Sequence, residues 1–349
     1  MNRRDFTRRG LTGVAALALP RIAMAERTQS ADPRAYRYVH LDVFTDRRLQ
    51  GNQLYVFVEP AGLDTDAMQT LTRESNLSEC TFVFPPEQAG TDHRVRIFTR
   101  TAETPFAGHP TIGTAFALAH TGVLKPGAPK TVFGLGAGPT NVDLEWKDGR
   151  LAFAWMTQLK PTFGKAVTDG AAVAAAIGLS PDMVRLKADA TTDSVRGVRL
   201  QPDLVPAGQE VNCGSTFFIV PVATRKAVDA AVLDRAKIDA MFSAAGIQRR
   251  GVYVFSTERG QDDATAYSRL LSAGGIEDPA TGSAAGPAGS FAAKYELAAG
   301  GDRPIVFLQG ALVRRPSRIH VRIGSTGGEI TSVKVGGSSV VVGEGTMTP

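Results

Sequence analysis

Glu103-Thr104-Pro105-Phe106-Ala107-Gly108-His109 can be laid on Glu277-Asp278-Pro279-Ala280-Thr281-Gly282-Ser283 at an offset of 174 residues, about half of the 349-residue chain. Both stretches read Glu-x-Pro-x-x-Gly-polar. Each follows a strand-like segment and runs directly into a helix of small residues. The first helix is read from Pro110 to His120, the second from about Ala284 to Leu297. A motif that recurs in the same strand–turn–helix setting predicts a duplicated domain.

Working outward from the two turns, the first half opens on an alternating strand, Tyr36 to Phe44, then a Gly51-Asn52 turn and a second strand, Leu54 to Val58. Helical spacing of Met68, Leu71 and Thr72 follows, with Asp64 as a cap. Cys80 to Phe84 and Arg94 to Phe98 read as strands. The second half has the same rhythm, with strands at Gly149–Met156, Phe217–Val222, Gly251–Phe255 and Tyr267–Leu271, and helices at Thr168–Ile177 and Asp229–Ala245. Four short strands close the chain. Many strands with few helices in each half predict an α+β fold. The expected division is a leader and linker over 1–35, a first domain over 36–148 and a second over 149–349, with the last strands able to return to the first domain.

Composition narrows the function classes. The chain is 43% hydrophobic and 21% charged, an ordinary globular balance. Its pI of 9.3 misleads. Five arginines and one acid lie before Glu26, so they supply most of the formal charge of +5. The remaining, nearly neutral body has no electrostatic footprint for nucleic acid. The leader itself has a twin arginine (Arg3-Arg4), a short apolar run from Leu11 to Leu19 and a small-x-small site at Ala23-Met24-Ala25. This is the pattern of a twin-arginine export signal. The run is too short to span a bilayer, which takes roughly 20 residues. A periplasmic protein with no stable membrane anchor is therefore expected, cytoplasmic if the signal is unused. Cys80 and Cys213 are expected to be free, buried thiols. No Cys/His cluster has metal-ligand spacing, so no metal is expected. No strand is followed by GxGxxG or a P-loop, so nucleotide binding has no support.

The two turns suit an anion. Glycine lets backbone approach a ligand closely, and a helix start aims free N–H groups and a positive dipole end at it. Pro110 is placed at the first helical position and Pro287 within the first turn of the other helix, where a missing N–H costs nothing. Two such starts facing one cleft would hold a small carboxylate. His109 and Asp278 lie at the turns and are candidates for handling a proton. Glu79 precedes a strand, where burial in a cleft would raise its pKa and make it a useful base.

Four segments in order also resemble one family. Gly51-Asn52-Gln53, Glu74 to Thr81 (ESNLSECT), Arg96 to Thr114 (RIFTRTAETPFAGHPTIGT) and Glu277 to Pro287 (EDPATGSAAGP) are similar to the signatures of the phenazine-biosynthesis PhzF-like family. Leu308-Gln309-Gly310 and Arg315-Pro316-Ser317 resemble its closing segment. The likeness runs from about Tyr38 to Gly345. It implies the diaminopimelate-epimerase-like fold: two similar domains, each a barrel-like mixed sheet around a central helix, with the active site in the cleft between them. It also implies a homodimer and no cofactor. By the same resemblance, Glu79 is the proton-shuttling carboxylate, and His109, Asp278 and Ser283 are the supporting catalytic residues. Gly108 and Gly282 lie near the substrate carboxylate, and Ser78 and Asn52 complete the substrate-binding set. The implied activity is a cofactor-independent isomerase moving a proton on a small cyclic carboxylate, as trans-2,3-dihydro-3-hydroxyanthranilate isomerase does. Rival readings are an exported amino-acid epimerase or racemase and a non-catalytic small-acid-binding protein. Related epimerases use a cysteine before each turn glycine; here those places hold Ala107 and Thr281, which argues against a two-thiol mechanism. Gln53, Leu54 and Tyr55 also depart from the family pattern, and a Tyr55 facing the cleft would alter substrate choice.

Overall fold

The computed structural model describes residues 34–184, 205–248, 250–272, 277–298 and 303–349. The proposed export signal lies outside them. The first elements are β1 (Tyr36–Val43), β2 (Asn52–Phe57), α1 (Thr65–Ser75), β3 (Glu79–Phe84), β4 (His93–Thr99), β5 (Glu103–Thr104), α2 (Gly108–His120), β6 (Lys130–Leu135), β7 (Gly138–Lys147) and β8 (Arg150–Gln158). Next come β9 (Thr162–Val167), α3 (Gly170–Ala176), α4 (Pro181–Val184), β10 (Gly208–Asn212), β11 (Thr216–Pro221), α5 (Arg225–Ala230), α6 (Arg235–Ala245), β12 (Gly251–Ser256) and β13 (Ala266–Leu271). The chain closes with α7 (Gly282–Lys294), β14 (Ile305–Gln309), β15 (Ser317–Thr326), β16 (Glu329–Gly337) and β17 (Ser339–Met347). Among the described residues, no helix is long and apolar enough to cross a membrane.

Strand pairing exposes the duplication. One ladder runs β17-β1-β2-β3-β4-β6-β7-β8, with β2–β3 and β4–β6 parallel and every other pair antiparallel. A second runs β9-β10-β11-β12-β13-β14-β15-β16, with β11–β12 and β13–β14 parallel and the rest antiparallel. The two sequences of parallel and antiparallel steps are identical, strand for strand. The ladders join where β8 pairs antiparallel with β16. The final strand, β17, returns to pair with β1 and fills the place in the first ladder that β9 fills in the second. By this correspondence the strand repeat divides between β8 and β9.

Each ladder wraps a helix. α2 and α7 are both 13 residues long and lie at the same 174-residue offset as the turns that precede them. α2 is buried from Gly108 to Leu118 and α7 is buried over nearly the same span. A helix apolar on every side belongs inside a shell rather than on a surface. Small residues permit that enclosure: a Cβ on Gly113 would come within 2.5 Å of Leu54 Cδ2 and 2.7 Å of Val43 Cγ2, both in the surrounding sheet. By contrast α1 is amphipathic. Asp64 caps it by accepting from Ala67 N, and Met68 and Leu71 pack against Phe57, Phe82 and Phe98 on the outer sheet face.

Two local readings change. The helix expected over Asp229–Ala245 is two helices, α5 and α6. Ala231 turns extended, and Asp234 starts a new helix by accepting from Lys237 N. The cap outcompetes helix continuation because it satisfies an orphan N–H. Pro110 is the third helical residue, not the first, and Pro287 the sixth, beyond the first turn in which it was expected. Pro287 lies in the second turn and removes the N–H that would meet the Ser283 carbonyl.

The enclosure of α2 gives a stability prediction. Gly113→Leu should cost about 1–3 kcal/mol through overpacking, read as a lower urea midpoint with an unchanged slope. An unchanged midpoint would contradict the close packing.

Candidate active site

The N-terminal turns of α2 and α7 meet backbone to backbone. A Cβ on Gly108 would stand 2.5 Å from Ser283 N and 2.6 Å from Gly282 C; one on Gly282 would stand 3.2 Å from Gly108 Cα. Real Cβ atoms essentially never approach as closely as the Gly108 contacts, and a Cβ on Gly282 would also meet Phe44 Cζ at 2.8 Å, so glycine at both positions permits the close approach. Phe44 closes the other side of the junction. It adopts φ +64, and its ring lies where Cβ atoms on Gly282 and Gly337 would fall. A left-handed conformation at a bulky aromatic residue is strained by about 1–2 kcal/mol, and it persists here because packing fixes the ring.

Neither helix is capped by a side chain. Ala107 precedes α2 and has nothing to offer; Thr281 precedes α7 but makes no cap bond. The helix starts at α1, α3, α5 and α6 are each capped by an Asp or Thr oxygen. The two facing turns thus keep their first N–H groups for something else.

Around them stand the sequence-proposed residues. Asn52, the first residue of β2, is 2% exposed and crosses from the first half to the second. Its Nδ2 donates to Asp278 Oδ1 (2.6 Å) and to Ala280 O (2.9 Å), and lies 3.2 Å from His109 Nδ1. Ser78 Oγ donates to Asn52 Oδ1 at 3.4 Å. Glu79 begins β3 and places Oε2 3.8 Å from His109 Nε2. The Glu79 side chain is 21% exposed, that of His109 only 5%. His109 Nε2 is buried and has no hydrogen-bond partner among the described residues. Ser283 is half-buried in the first turn of α7, with its backbone N against Gly108. Glu79, His109, Asp278, Ser78, Asn52, Gly108, Gly282 and Ser283 therefore converge on one place.

Burial sets the charges. It holds His109 down to about pKa 4, against the opposing pull of Asp278. At neutral pH the ring is uncharged, so Nε2 can exchange a hydrogen bond with a ligand without carrying a positive charge. Burial raises the Glu79 carboxyl above its ordinary value, with Ser78 and the Arg100 charge opposing. Asp278 is pushed up to about 6, by burial first and then by the Glu79 charge. Two carboxyl groups with raised pKa values and a neutral imidazole form a proton-handling set.

Sequence reading missed part of the site. Thr281 Oγ1 donates to Asp278 Oδ2 at 2.6 Å, and Gln309 Nε2 donates to Asp278 O (2.8 Å) and Thr281 Oγ1 (2.9 Å). Tyr253 OH reaches Gln309 Oε1 at 3.1 Å. Gln158 Nε2 donates to Gly282 O at 3.0 Å. Gln309 lies in a segment singled out by resemblance, but no local pattern marks it as polar and fully buried. Arg315 was likewise singled out, and its job is to clamp the turn before Asn52: it donates to Gly51 O and Gln50 O at 2.8 Å each, and pairs with buried Asp42 at 2.5 Å. Tyr55 does not face the cleft. It stacks on Tyr38 at 4.1 Å on the outer sheet face, so it does not select the substrate. Leu54 faces α2 instead. Cys80 and Cys213 are free and buried, with burial raising their thiols to about 11 and about 12. Neither supplies a thiolate at neutral pH.

The sequence profile of the phenazine biosynthesis-like protein family, PhzC-PhzF, matches residues 41–345. The chain belongs to the PhzF-like family. It is 34% identical over 313 residues to trans-2,3-dihydro-3-hydroxyanthranilate isomerase of Pseudomonas aeruginosa, covering 89% of this chain and 98% of that one. Among solved structures it is similar to a PhzF-family phenazine biosynthesis protein of Bacillus anthracis (TM-score 0.74, 23% identity, 90% of this chain and 100% of that one). A hydroxyproline epimerase of Agrobacterium vitis shares the fold at TM-score 0.58 and 12% identity, over 90% of this chain and 93% of that one. The PhzF-like chain is thus an isomerase with the epimerase-like fold.

The neutral His109 gives a pH test. Its folded pKa is below the unfolded value of 6.5, so the unfolded chain binds the proton first as pH falls. Stability from this residue is complete above about pH 6.5 and is lost as pH falls through about 4. The stability difference between wild type and His109→Asn should shrink or reverse by about 2–3 kcal/mol between pH 7 and pH 4. Urea titrations at both pH values measure it. A pH-independent difference would show that the ring is not held neutral.

Proposed function

We propose that this protein is a cofactor-independent isomerase that moves a proton between two carbons of a small cyclic carboxylate, with trans-2,3-dihydro-3-hydroxyanthranilate as the first substrate to assay. The observation that carries the reading is the arrangement at the facing turns. A carboxyl group with a raised pKa and a buried, unpartnered imidazole nitrogen stand 3.8 Å apart, beside two helix starts with no side-chain cap.

The chemistry follows from those groups. The open N–H groups of α2 and α7 hold the substrate carboxylate from both sides. Glu79 takes a proton from an activated carbon of the bound ring. The carbanion charge spreads through the conjugated ring, and the helix dipole ends nearby stabilise it. Protonated Glu79, whose acid proton exchanges with solvent, then delivers a proton at a second carbon, so no other acid is consumed. Neutral His109 accepts or donates a hydrogen bond at a polar substituent of the ring, and the Ser283 hydroxyl helps fix the carboxylate. The unequal chemistry of the two halves supports this over inversion at one carbon. Inversion in the two-thiol manner needs matched groups on opposite faces, whereas here Glu79 lies outside the repeat and both thiols are held protonated.

Two further parts of the reading rest on sequence. The twin-arginine leader supports export to the periplasm, and membership of the family supports a homodimer. The substrate would then be met outside the cytoplasm.

Glu79→Gln keeps the shape and removes the base. Turnover of the assayed carboxylate should fall about 10²- to 10⁴-fold, and incorporation of solvent deuterium into product should stop with it. Near-full turnover in the variant would refute Glu79 as proton carrier. Deuterium entering one carbon without double-bond migration would identify an epimerase instead.

A further inference from the structure

The buried amide of Gln309 fixes the direction of the Thr281 hydroxyl hydrogen beside Asp278. Gln309 Nε2 has two hydrogens, and they go to Asp278 O and Thr281 Oγ1 at 2.8 and 2.9 Å. Its Oε1 accepts from Thr281 N at 3.1 Å, and Tyr253 OH, which also meets Ser268 Oγ at 2.8 Å, lies 3.1 Å from it. A flip would set Nε2 against the Thr281 N–H and Oε1 against the Asp278 carbonyl, so these two backbone groups fix the amide orientation. Thr281 Oγ1 already accepts from Gln309, so its own hydrogen is the one aimed at Asp278 Oδ2, at 2.6 Å. On the other oxygen, Asn52 Nδ2 donates to Asp278 Oδ1 at 2.6 Å. Both oxygens of Asp278 are therefore acceptors, and both bonds have the length of charge-assisted ones.

We propose that Gln309 and Thr281 are positioning residues that hold Asp278 as an all-acceptor carboxylate, so that the proton moved in the reaction stays on Glu79. The inference deepens the reading of Glu79 as proton carrier and rests on it for its catalytic meaning. The Glu79 charge bears on Asp278, so the two carboxyl groups share one buried site and Asp278 would otherwise compete for the proton. The titratable groups that face it are Glu79 from β3, His109 from α2 and Tyr253 from β12. His109 is neutral and burial raises the Tyr253 hydroxyl, so neither supplies a proton to Asp278 at neutral pH. A carboxylate with hydrogens aimed at both oxygens disfavours a proton of its own. It also raises the basicity of its neighbour, because two like charges in one buried site resist joint ionisation. Gln309 thus acts on Glu79 at second hand, through Thr281 and Asp278, without touching substrate.

The test uses Thr281→Val, which removes the hydrogen on Oδ2 and keeps the shape, and Gln309→Glu, which offers Thr281 a competing acceptor. Thr281→Ser restores the hydroxyl. Asp278 is followed by carbon NMR of protein labelled at aspartate carboxyl carbons, with Asp278→Asn assigning the signal. The titration should move up by about one to two pH units in Thr281→Val and in Gln309→Glu, since a hydrogen bond to a charged group is worth about 1.5–3 kcal/mol. Thr281→Ser should return it to the wild-type position. The acid limb of kcat/KM for trans-2,3-dihydro-3-hydroxyanthranilate should shift the same way. An Asp278 titration unmoved in folded Thr281→Val overturns the proposal. The NMR result is read without turnover, so it stands apart from failure of the substrate assignment: a shifted titration in a protein inactive on this substrate supports the network and refutes only the substrate.

Discussion

The contact between Gly108 and Gly282 is the constraint on which the rest depends. Two helix starts can touch backbone to backbone only if neither carries a Cβ at the junction. That contact brings the open N–H groups of both helices to one point, and it sets the separation of everything anchored to the turns. His109 follows Gly108 directly, and Asp278 lies just ahead of Gly282. Asn52 then bridges them from β2. The β8–β16 pairing holds the two ladders in register behind the junction, and Arg315 reaches back to clamp the turn from which Asn52 projects.

A symmetric scaffold carries asymmetric chemistry. The ladders repeat strand for strand, and α2 and α7 repeat residue for residue in length. Yet the position of His109 is filled by Ser283 in the other half, and the base comes from β3, outside either turn. Duplication supplies the two-sided anion cradle; divergence of the side chains around it supplies the direction in which a proton can travel. Burial does the electrostatic work in both cases, neutralising the imidazole and raising the carboxyl groups.

Much of this was legible in the sequence because it is local. The repeated Glu-x-Pro-x-x-Gly turns announced the duplication, and the helices that follow them were found within two residues at their starts. The enclosure of α2 and α7 was implied by the family resemblance. Asp64 as a cap followed from its place before a periodic run. What was not legible depends on tertiary contact. Nothing near Asp234 in sequence shows that its carboxylate would break a periodic run into α5 and α6. Gln309 looks like any strand glutamine until Tyr253 of β12 and the Asp278–Thr281 turn converge on it from two other segments. Tyr55 could have faced either way, because a strand offers both faces and register alone decides. The return of β17 to the first ladder, allowed for in the expected domain division, has no local signal of its own.

The most direct test of the account is the activity of Gly108→Ala, measured alongside its fold. The added methyl group would stand 2.5 Å from Ser283 N, a backbone atom that cannot rotate away, so the two turns must part. The expected result is native circular dichroism with kcat/KM reduced at least about 10²-fold, the scale of a 1 Å misplacement at a catalytic site. A folded Gly108→Ala protein with wild-type kcat/KM would contradict the claim that the touching helix starts define the active site.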